Sequence, residues 1–271
     1  MGNLQAIQLI SSPDVDTNFK QVENLLSASN NTGPTLTVLP ECFACFGGGD
    51  KRLLSLAQKG SESVLENIQQ LARRYNTWIV AGTVPVLSED ECKFRACCWV
   101  VNDQGELITR YDKIHLFDVE VEDNTGSYRE SDFTEPGDQI VCIDSPFGRL
   151  GIAVCYDVRF PGLFQAMQQV DVLALPSAFT EKTGDAHWHT LLRARSIEMQ
   201  CYVIGANQGG EHANGRQTYG NSVIYSPWGD QLAVIEKQPG IINTRFKPEL
   251  LAKVRSAMPV YQHRKFRSHF D

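Results

Sequence analysis

The sequence predicts an α/β protein in which helices cover sheets. Three observations carry that reading. Short apolar, β-branched runs alternate with segments of helical periodicity in both halves of the chain. Hairpin signals separate some of the runs and recur near the C-terminal end. The 271 residues contain no linker, short-period repeat or low-complexity stretch, so one domain over 1–271, large enough to bury a substantial core, is expected.

Taken in order, residues 4–10 read as a strand. Residues 14–29 read as a helix with Val15, Phe19, Val22 and Leu26 on one face, opened by Ser12 or Asp14 as a cap. Thr35 to Leu39 is a second strand, ending in Pro40-Glu41. Val64, Ile68, Leu71 and Tyr75 mark a helix, and a strand comes next at 78–85. Strands at 94–101 and 106–112 flank the turn signal Asn102-Asp103-Gln104-Gly105. Residues 118–138 are polar, acidic and rich in turn residues; a loop that long inside a compact domain is usually functional or disordered. Strands at 139–143 and 150–154 come next, with a turn around Pro146-Phe147-Gly148 between them. Phe160-Pro161 then opens a helical stretch with Leu163, Met167 and Val170. A buried strand at 171–179, a helix at about 186–199 and a strand at 201–206 succeed it. Strands near 221–226, 231–236 and 240–246, a short helix after Pro248 and a basic, aromatic tail from Pro259 complete the chain.

Composition narrows the function. A formal net charge of -7 argues against a general nucleic-acid binder, which needs a basic face. No apolar run approaches membrane-spanning length. The N-terminal stretch has no basic region or small-residue cleavage site, and Ala6 breaks a myristoylation pattern, so a cytoplasmic protein is expected. Eight cysteines in such a chain read as free thiols. Cys42 and Cys45 have redox or zinc spacing, but no second pair matches them and a glycine run comes after. Cys97 and Cys98 are neighbours on a strand and should face opposite ways. Gly47-Gly48-Gly49 lacks the lysine of a phosphate loop and reads as a flexible loop.

Three residues of reactive type sit at or near strand ends: Glu41, Lys113 and Cys155. A cysteine between a buried strand and a helix start lies where an α/β sheet presents active groups, and the helix dipole would favour its thiolate. A carboxylate could take the thiol proton, and an ammonium could stabilise first the thiolate and then an oxyanion. The residues alone favour a core thiol beside a structural Glu–Lys ion pair. A serine-hydrolase elbow does not fit Val154-Cys155-Tyr156. A papain-like pair would need His187 or His189, which lie at a helix start where capping or packing is the commoner role.

The chain resembles the nitrilase superfamily of carbon–nitrogen hydrolases. The matching stretches are LPE at 39–41, YDKIHLFD at 111–118, GIAVCYDVRFP at 151–161 and LPSAF at 175–179. They continue through HWHTLLRARSIEMQCYVIGANQ at 187–208 and YGNSVIYSPWG at 219–229, in the family's order over nearly the whole chain. The resemblance implies a four-layer α-β-β-α sandwich with two mixed sheets, pairing across a helix face into a homodimer. Helix 186–199 and the segment after Cys155 would lie at that interface, and the tail 258–271 would dock on the partner subunit. It also implies Cys155 as nucleophile, Glu41 as general base and Lys113 as the cation beside the tetrahedral intermediate. The Tyr156 N–H would complete the oxyanion site, Glu130 would orient the lysine, and Arg159 would hold the loop after the nucleophile by pairing with a carboxylate. No metal or organic cofactor is implied.

Within the superfamily, AFTEKTGDAHWHTLLRARSIEMQCYV and MPVYQHRKF resemble the branch of Nit-type amidases that hydrolyses deaminated glutathione. The implied reaction cleaves a linear amide through a thioester, giving 2-oxoglutarate and cysteinylglycine. An omega-amidase acting on 2-oxoglutaramate is the alternative, and a catalytically silent scaffold of the same fold is the non-enzyme alternative. FACFGGGD after Glu41 and Asp185 depart from the usual wording of the family, and both are expected near the pocket mouth. Phe179 and Thr183 are expected to line the pocket on resemblance. Lys182, Arg193 and Arg195 are weak candidates for binding an anionic substrate, the two arginines reading rather as a solvated face or structural pairs.

Overall fold

The computed structural model describes residues 2–29, 32–121 and 126–266. Strand β1 (Asn3–Gln8), helix α1 (Val15–Ser27), strand β2 (Thr35–Leu39), helices α2 (Asp50–Gln58) and α3 (Glu62–Tyr75), and strands β3 (Thr77–Leu87), β4 (Phe94–Val101) and β5 (Leu107–Asp112) form the first half. A short hairpin, β6 (Asp118–Glu120) and β7 (Ser127–Arg129), runs into a 3-10 turn at Glu130–Asp132. Strands β8 (Cys142–Ser145) and β9 (Gly148–Ile152) lead to a second 3-10 turn, Cys155–Arg159, then helix α4 (Pro161–Ala166) and strand β10 (Val172–Ser177). Helix α5 (Glu181–Met199) is followed by β11 (Tyr202–Asn207), β12 (Gly209–Glu211), β13 (Gln217–Tyr219), β14 (Val223–Tyr225), β15 (Gln231–Val234) and β16 (Gly240–Arg245). Helices α6 (Pro248–Ala257) and α7 (Val260–His263) come last.

Two six-stranded mixed sheets form the frame, ordered β16-β1-β2-β3-β4-β5 and β15-β14-β11-β10-β9-β8. Parallel strands β1, β2 and β3 lie at the centre of one, and β9, β10 and β11 at the centre of the other, with antiparallel strands outside them. Side chains alternate across each strand, which sorts the apolar residues into layers. Leu4, Ala6, Leu36, Val38, Val80, Cys98 and Val100 join the core shared with the second sheet. Their odd-numbered neighbours Ile7, Leu39, Ile79, Cys97 and Trp99 turn the other way, onto Phe19 and Val22 of α1 and Val64 and Ile68 of α3. On the far side, α5 lays Trp188 and Leu192 directly over Gly205 of β11, where a Cβ would meet Leu192 Cδ2 at 2.2 Å. The result is the four-layer α-β-β-α sandwich, with Cys97 and Cys98 on opposite faces as their adjacency requires. Each fully buried Leu, Val or Phe in these layers contributes roughly 1.5–3 kcal/mol.

Several boundaries differ from the sequence expectations. Helix α2 starts directly after the glycine run, where no helix was expected. Its Gly49 N-cap makes no side-chain hydrogen bond, so the usual start signal is missing. Helix α5 begins at Glu181 rather than 186, because Thr180 caps it by accepting from the Thr183 N–H. Strands β8 and β9 are displaced by two or three residues from 139–143 and 150–154, since they close as a tight hairpin across Pro146-Phe147 with Ser145 paired to Gly148. The stretch 118–138, expected as loop throughout, contains the β6–β7 hairpin. Residues 267–271 of the tail lie outside the described residues, and among those described no helix is long and apolar enough to cross a membrane.

Candidate active site

Glu41 leaves β2 at its C-terminal end, the side on which open α/β sheets carry their ligands. Gly82 of β3 has φ +44°, and a Cβ there would stand 1.9 Å from the Pro40 carbonyl oxygen, so only glycine lets β3 run this close to the Glu41 turn. Gln208 Nε2 donates to the Glu41 carbonyl oxygen (3.0 Å) and to Ser11 Oγ (2.8 Å), fixing the turn from the second sheet. Lys113 comes directly after β5, its N–H donating to the Ala96 carbonyl (3.0 Å) while its own carbonyl accepts from the Gly137 N–H (2.8 Å). Glu130 opens the 3-10 turn after β7, and its Oε2 accepts from the Phe117 N–H at 2.7 Å. The long polar stretch therefore exists to carry a carboxylate back to the sheet end.

These three side chains meet. Lys113 Nζ donates to Glu41 Oε1 (2.8 Å) and to Glu130 Oε1 and Oε2 (3.0 and 2.8 Å). The Lys113 and Glu41 side chains are 2% and 7% exposed, so this pair is out of water, while 22% of the Glu130 side chain remains exposed. Removing one partner from a buried pair of this kind costs about 3–5 kcal/mol. Burial works against the Lys113 charge, but Glu130 and Glu41 outweigh it and hold the ammonium well above its ordinary value. Glu130 is pushed up, by burial first and by Glu41, with Lys113 opposing.

Cys155 begins the second 3-10 turn with φ +48°, a left-handed conformation that L-residues other than Asn and Asp seldom adopt. Such a conformation costs on the order of 1–3 kcal/mol and persists only where surrounding contacts impose it. Asp157 imposes it. Wholly buried, its Oδ2 accepts from Tyr111 Oη (2.7 Å) and the Val154 N–H (2.8 Å), and its Oδ1 from the His115 N–H (3.0 Å) and Nδ1 (2.7 Å). Asp157 thereby ties the cysteine turn to both sides of Lys113. The Cys155 sulfur has the Glu41 carboxylate and the Ala178 N–H as neighbours. Burial and then Glu41 push its thiol well above the ordinary value, with Lys113 opposing. The expected helix-dipole stabilisation of a thiolate is overturned: Cys155 opens a 3-10 turn of only five residues, and desolvation dominates.

A cavity of about 250 Å³ opens onto this group, lined by Glu41, Lys113, Glu130 and Cys155 together with Tyr156, Phe179 and Thr183. Phe46, the Gly47–Gly49 run and Asp50 form part of its wall, so the departure after Glu41 does lie at the pocket. Lys182 and Asp185 are exposed on α5 and do not line it, because the helix turns them outward. Arg193 is exposed, and buried Arg195 donates to the Val158 carbonyl (3.1 Å) and pairs with Glu198, a structural role. Arg159 lines the cavity, but its partners are His187 Nδ1 (3.1 Å) and the rings of Tyr156 and Phe179 rather than the expected carboxylate. Neither His187 nor His189 lines the cavity, which removes the papain-like arrangement. All eight cysteines are free thiols; Cys42, beside Glu41, is pushed up by burial first and then by that carboxylate. Among the described residues no group of His, Cys, Asp and Glu has metal-ligating geometry. Sequence reasoning missed Asp157, Tyr111, His115, Gln208 and Arg216, whose contacts join segments far apart in the chain.

A family model described as carbon-nitrogen hydrolase matches residues 4–256. The chain belongs to the carbon–nitrogen hydrolase family. Its reaction class is therefore hydrolysis of a carbon–nitrogen bond. Over 267 residues it is 38% identical to the deaminated glutathione amidase of Yersinia enterocolitica, covering 97% of this chain and 93% of that one. The human deaminated glutathione amidase is 38% identical over 95% of this chain and 80% of its own length. Among solved structures, the Caenorhabditis elegans NitFhit protein superposes with a TM-score of 0.89 at 33% identity, covering 97% of this chain. The chain spans only 65% of that longer protein. Saccharomyces cerevisiae Nit3, described as a member of branch 10 of the nitrilase superfamily, gives a TM-score of 0.84 at 27% identity, covering 97% and 96% of the two chains.

Proposed function

We propose that this carbon–nitrogen hydrolase is a cysteine-dependent amidase whose substrate is deaminated glutathione, cleaved to 2-oxoglutarate and cysteinylglycine. The observation that carries the chemistry is Lys113 held between Glu41 and Glu130 at the cavity wall that presents Cys155. The names of the relatives carry the choice of substrate. Glu41 takes the Cys155 proton as the sulfur attacks the amide carbon. Negative charge develops on the carbonyl oxygen, facing the Lys113 ammonium and the Tyr156 N–H. Protonated Glu41 then donates to the departing amine, leaving a thioester on Cys155. Water, giving its proton to Glu41, attacks the thioester carbon, and collapse releases the acid and returns the proton to sulfur. No step calls for a metal or an organic cofactor. The smaller omega-amide 2-oxoglutaramate shares the acyl half and is the second substrate to assay.

We further propose a single-domain, cytoplasmic enzyme that works as a homodimer without nucleic-acid or membrane partners. Ile197 on α5 and Trp228 beside it are exposed, Trp228 at 56%, and supply apolar area on the helix face where the family resemblance puts the second subunit. Exposed Met258, Tyr261 and Phe266 give the tail from 258 the same character. The decisive experiment is mass spectrometry of the protein after brief exposure to deaminated glutathione and to 2-oxoglutaramate, with turnover of each measured. An acyl adduct on Cys155, and loss of turnover in a folded Cys155→Ala protein, are expected. Full activity in Cys155→Ala would end the proposal.

A further inference from the structure

Arg216 stands out among the groups that the mechanism leaves unused. Among the described residues, its Nε is the one buried side-chain polar atom without a hydrogen-bond partner. Buried polar groups are otherwise paired almost without exception, and an unpaired guanidinium donor is costly unless a ligand completes it. The side chain lines the same cavity as Cys155. Its guanidinium carbon lies 5.0 Å from the centroid of the Phe46 ring and 5.0 Å from that of the Tyr128 ring. Cation–π contacts hold the guanidinium at the cavity wall without using up its N–H donors. One terminal nitrogen, Nη2, is anchored on the Ala178 carbonyl oxygen at 3.1 Å. Ala178 is also the residue whose N–H faces the Cys155 sulfur.

The wall behind Arg216 is built to hold it. Gly47, with φ +78°, presses against the 212–213 turn, where a Cβ would meet the Ala213 N at 3.1 Å. That contact brings Phe46 edge-on to His212, with ring centroids 4.3 Å apart. His212 is itself fixed by Ser11 O (3.0 Å) and Thr218 Oγ1 (2.8 Å). The glycine run after Glu41 is thus the contact that closes Phe46 onto the arginine. Among the described residues no carboxylate lies within the 4.0 Å of an ion pair with Arg216; Asp50 feels its charge from farther away.

We propose that Arg216 binds the carboxylate on the acyl side of the substrate, and so selects amides whose acyl chain ends in an acid. The inference rests on the amidase reading above and deepens it. Nε and the neighbouring terminal nitrogen offer the two parallel donors that a carboxylate takes from arginine. One residue, Ala178, separates this anchor from the nucleophile. That matches an acyl group of two methylenes and one carbonyl better than the more distant carboxylate of a dipeptide leaving group.

The test compares wild-type protein with Arg216→Ala and Arg216→Lys. Binding of 2-oxoglutarate is monitored by calorimetry, and kcat/KM is measured for 2-oxoglutaramate and for the neutral amide pentanamide. In Arg216→Ala the 2-oxoglutarate Kd should weaken by about 30- to 100-fold, the loss of one or two charge-assisted hydrogen bonds. The ratio of kcat/KM for 2-oxoglutaramate over pentanamide should fall by a similar factor, mainly through KM, and Arg216→Lys should recover part of both. Arg216-dependent binding of 2-oxoglutarate without amide turnover would sustain the site and refute the amidase reading. Brisk amide turnover with a Kd and a ratio unchanged in Arg216→Ala would do the reverse. Equal losses for the charged and neutral amides, or no 2-oxoglutarate binding to wild type, would overturn the assignment of Arg216.

Discussion

Replacing Asp157 with Asn exchanges one oxygen for a nitrogen in a side chain that has no access to water. A carboxylate only accepts, and Asp157 is surrounded by four donors: Tyr111 Oη, the Val154 N–H, and the N–H and Nδ1 of His115. An amide accepts at one oxygen only, so its NH2 group must face two of them. With the oxygen kept toward His115, the Tyr111 hydroxyl can turn to accept, but the Val154 N–H cannot. A buried donor without a partner costs about 1–3 kcal/mol, and the remaining bonds lose the added strength of a charged acceptor. Together these predict a destabilisation of about 3 kcal/mol, or a fall of about 6–12 °C in Tm for a chain of this size. Val154 directly precedes Cys155, whose positive φ depends on this anchoring. A loss of at least about tenfold in kcat/KM should therefore accompany the fall, as expected when a reacting group is misplaced. Calorimetric melting and steady-state turnover of 2-oxoglutaramate measure the two effects. An Asn variant that melts within about 1 °C of wild type with unchanged kcat/KM would refute the claim that Asp157 holds the nucleophile turn.

Lys113→Met leaves buried Glu41 beside half-buried Glu130 without their cation, and is expected to lower stability by about 3–5 kcal/mol in denaturant melts. Turnover of the same protein should drop by at least about a hundredfold, the loss seen when one oxyanion donor is removed. Burial holds the His212 imidazole down at about 4, below its ordinary 6.5. The unfolded chain then takes up this proton first as the pH falls, so stability is full above about 6.5 and is lost down through about 4. The shift corresponds to about 3 kcal/mol over that window, and a His212→Asn protein should show a correspondingly shallower loss of Tm between those pH values than wild type. Parallel curves for the two proteins would remove His212 from the acid response.

The elements legible in the sequence are those whose signal is local. Alternation and β-branched runs located β1 to β5, and an apolar stripe located α1 and α3, because one buried face imprints its period on the residues. Glu41, Lys113 and Cys155 were legible as reactive types at strand ends, and the structure brings them into one cavity. Glu130 could be singled out only by resemblance. Its place depends on a hairpin, β6–β7, whose three-residue strands are too short to carry a period. Lys182 failed for a related reason: α5 starts five residues earlier than its apolar pattern suggests, so the phase of its faces there could not be read. Asp157 and Arg216 were invisible because their partners lie elsewhere in the chain. Tyr111 is 46 residues from Asp157, and Ala178 is 38 from Arg216. A charged residue gives no hint of partners that only the fold brings to it.

The unequal sharing of Lys113 explains why two glutamates serve one ammonium. Glu130 takes it with both oxygens, at 3.0 and 2.8 Å, whereas Glu41 uses only Oε1 for it. Glu41 thus keeps its second oxygen for the Cys155 thiol, its neighbour across the site. Burial and the Glu41 carboxylate both raise the Cys155 thiol, and Lys113 opposes them. With both glutamates ionised, the trio already carries one excess negative charge, and a resting thiolate would add a second in a largely buried site. On the proposed reading, the thiol keeps its proton until an amide carbonyl enters. In the proposed mechanism the charge that leaves sulfur then reappears on the carbonyl oxygen, where Lys113 can meet it.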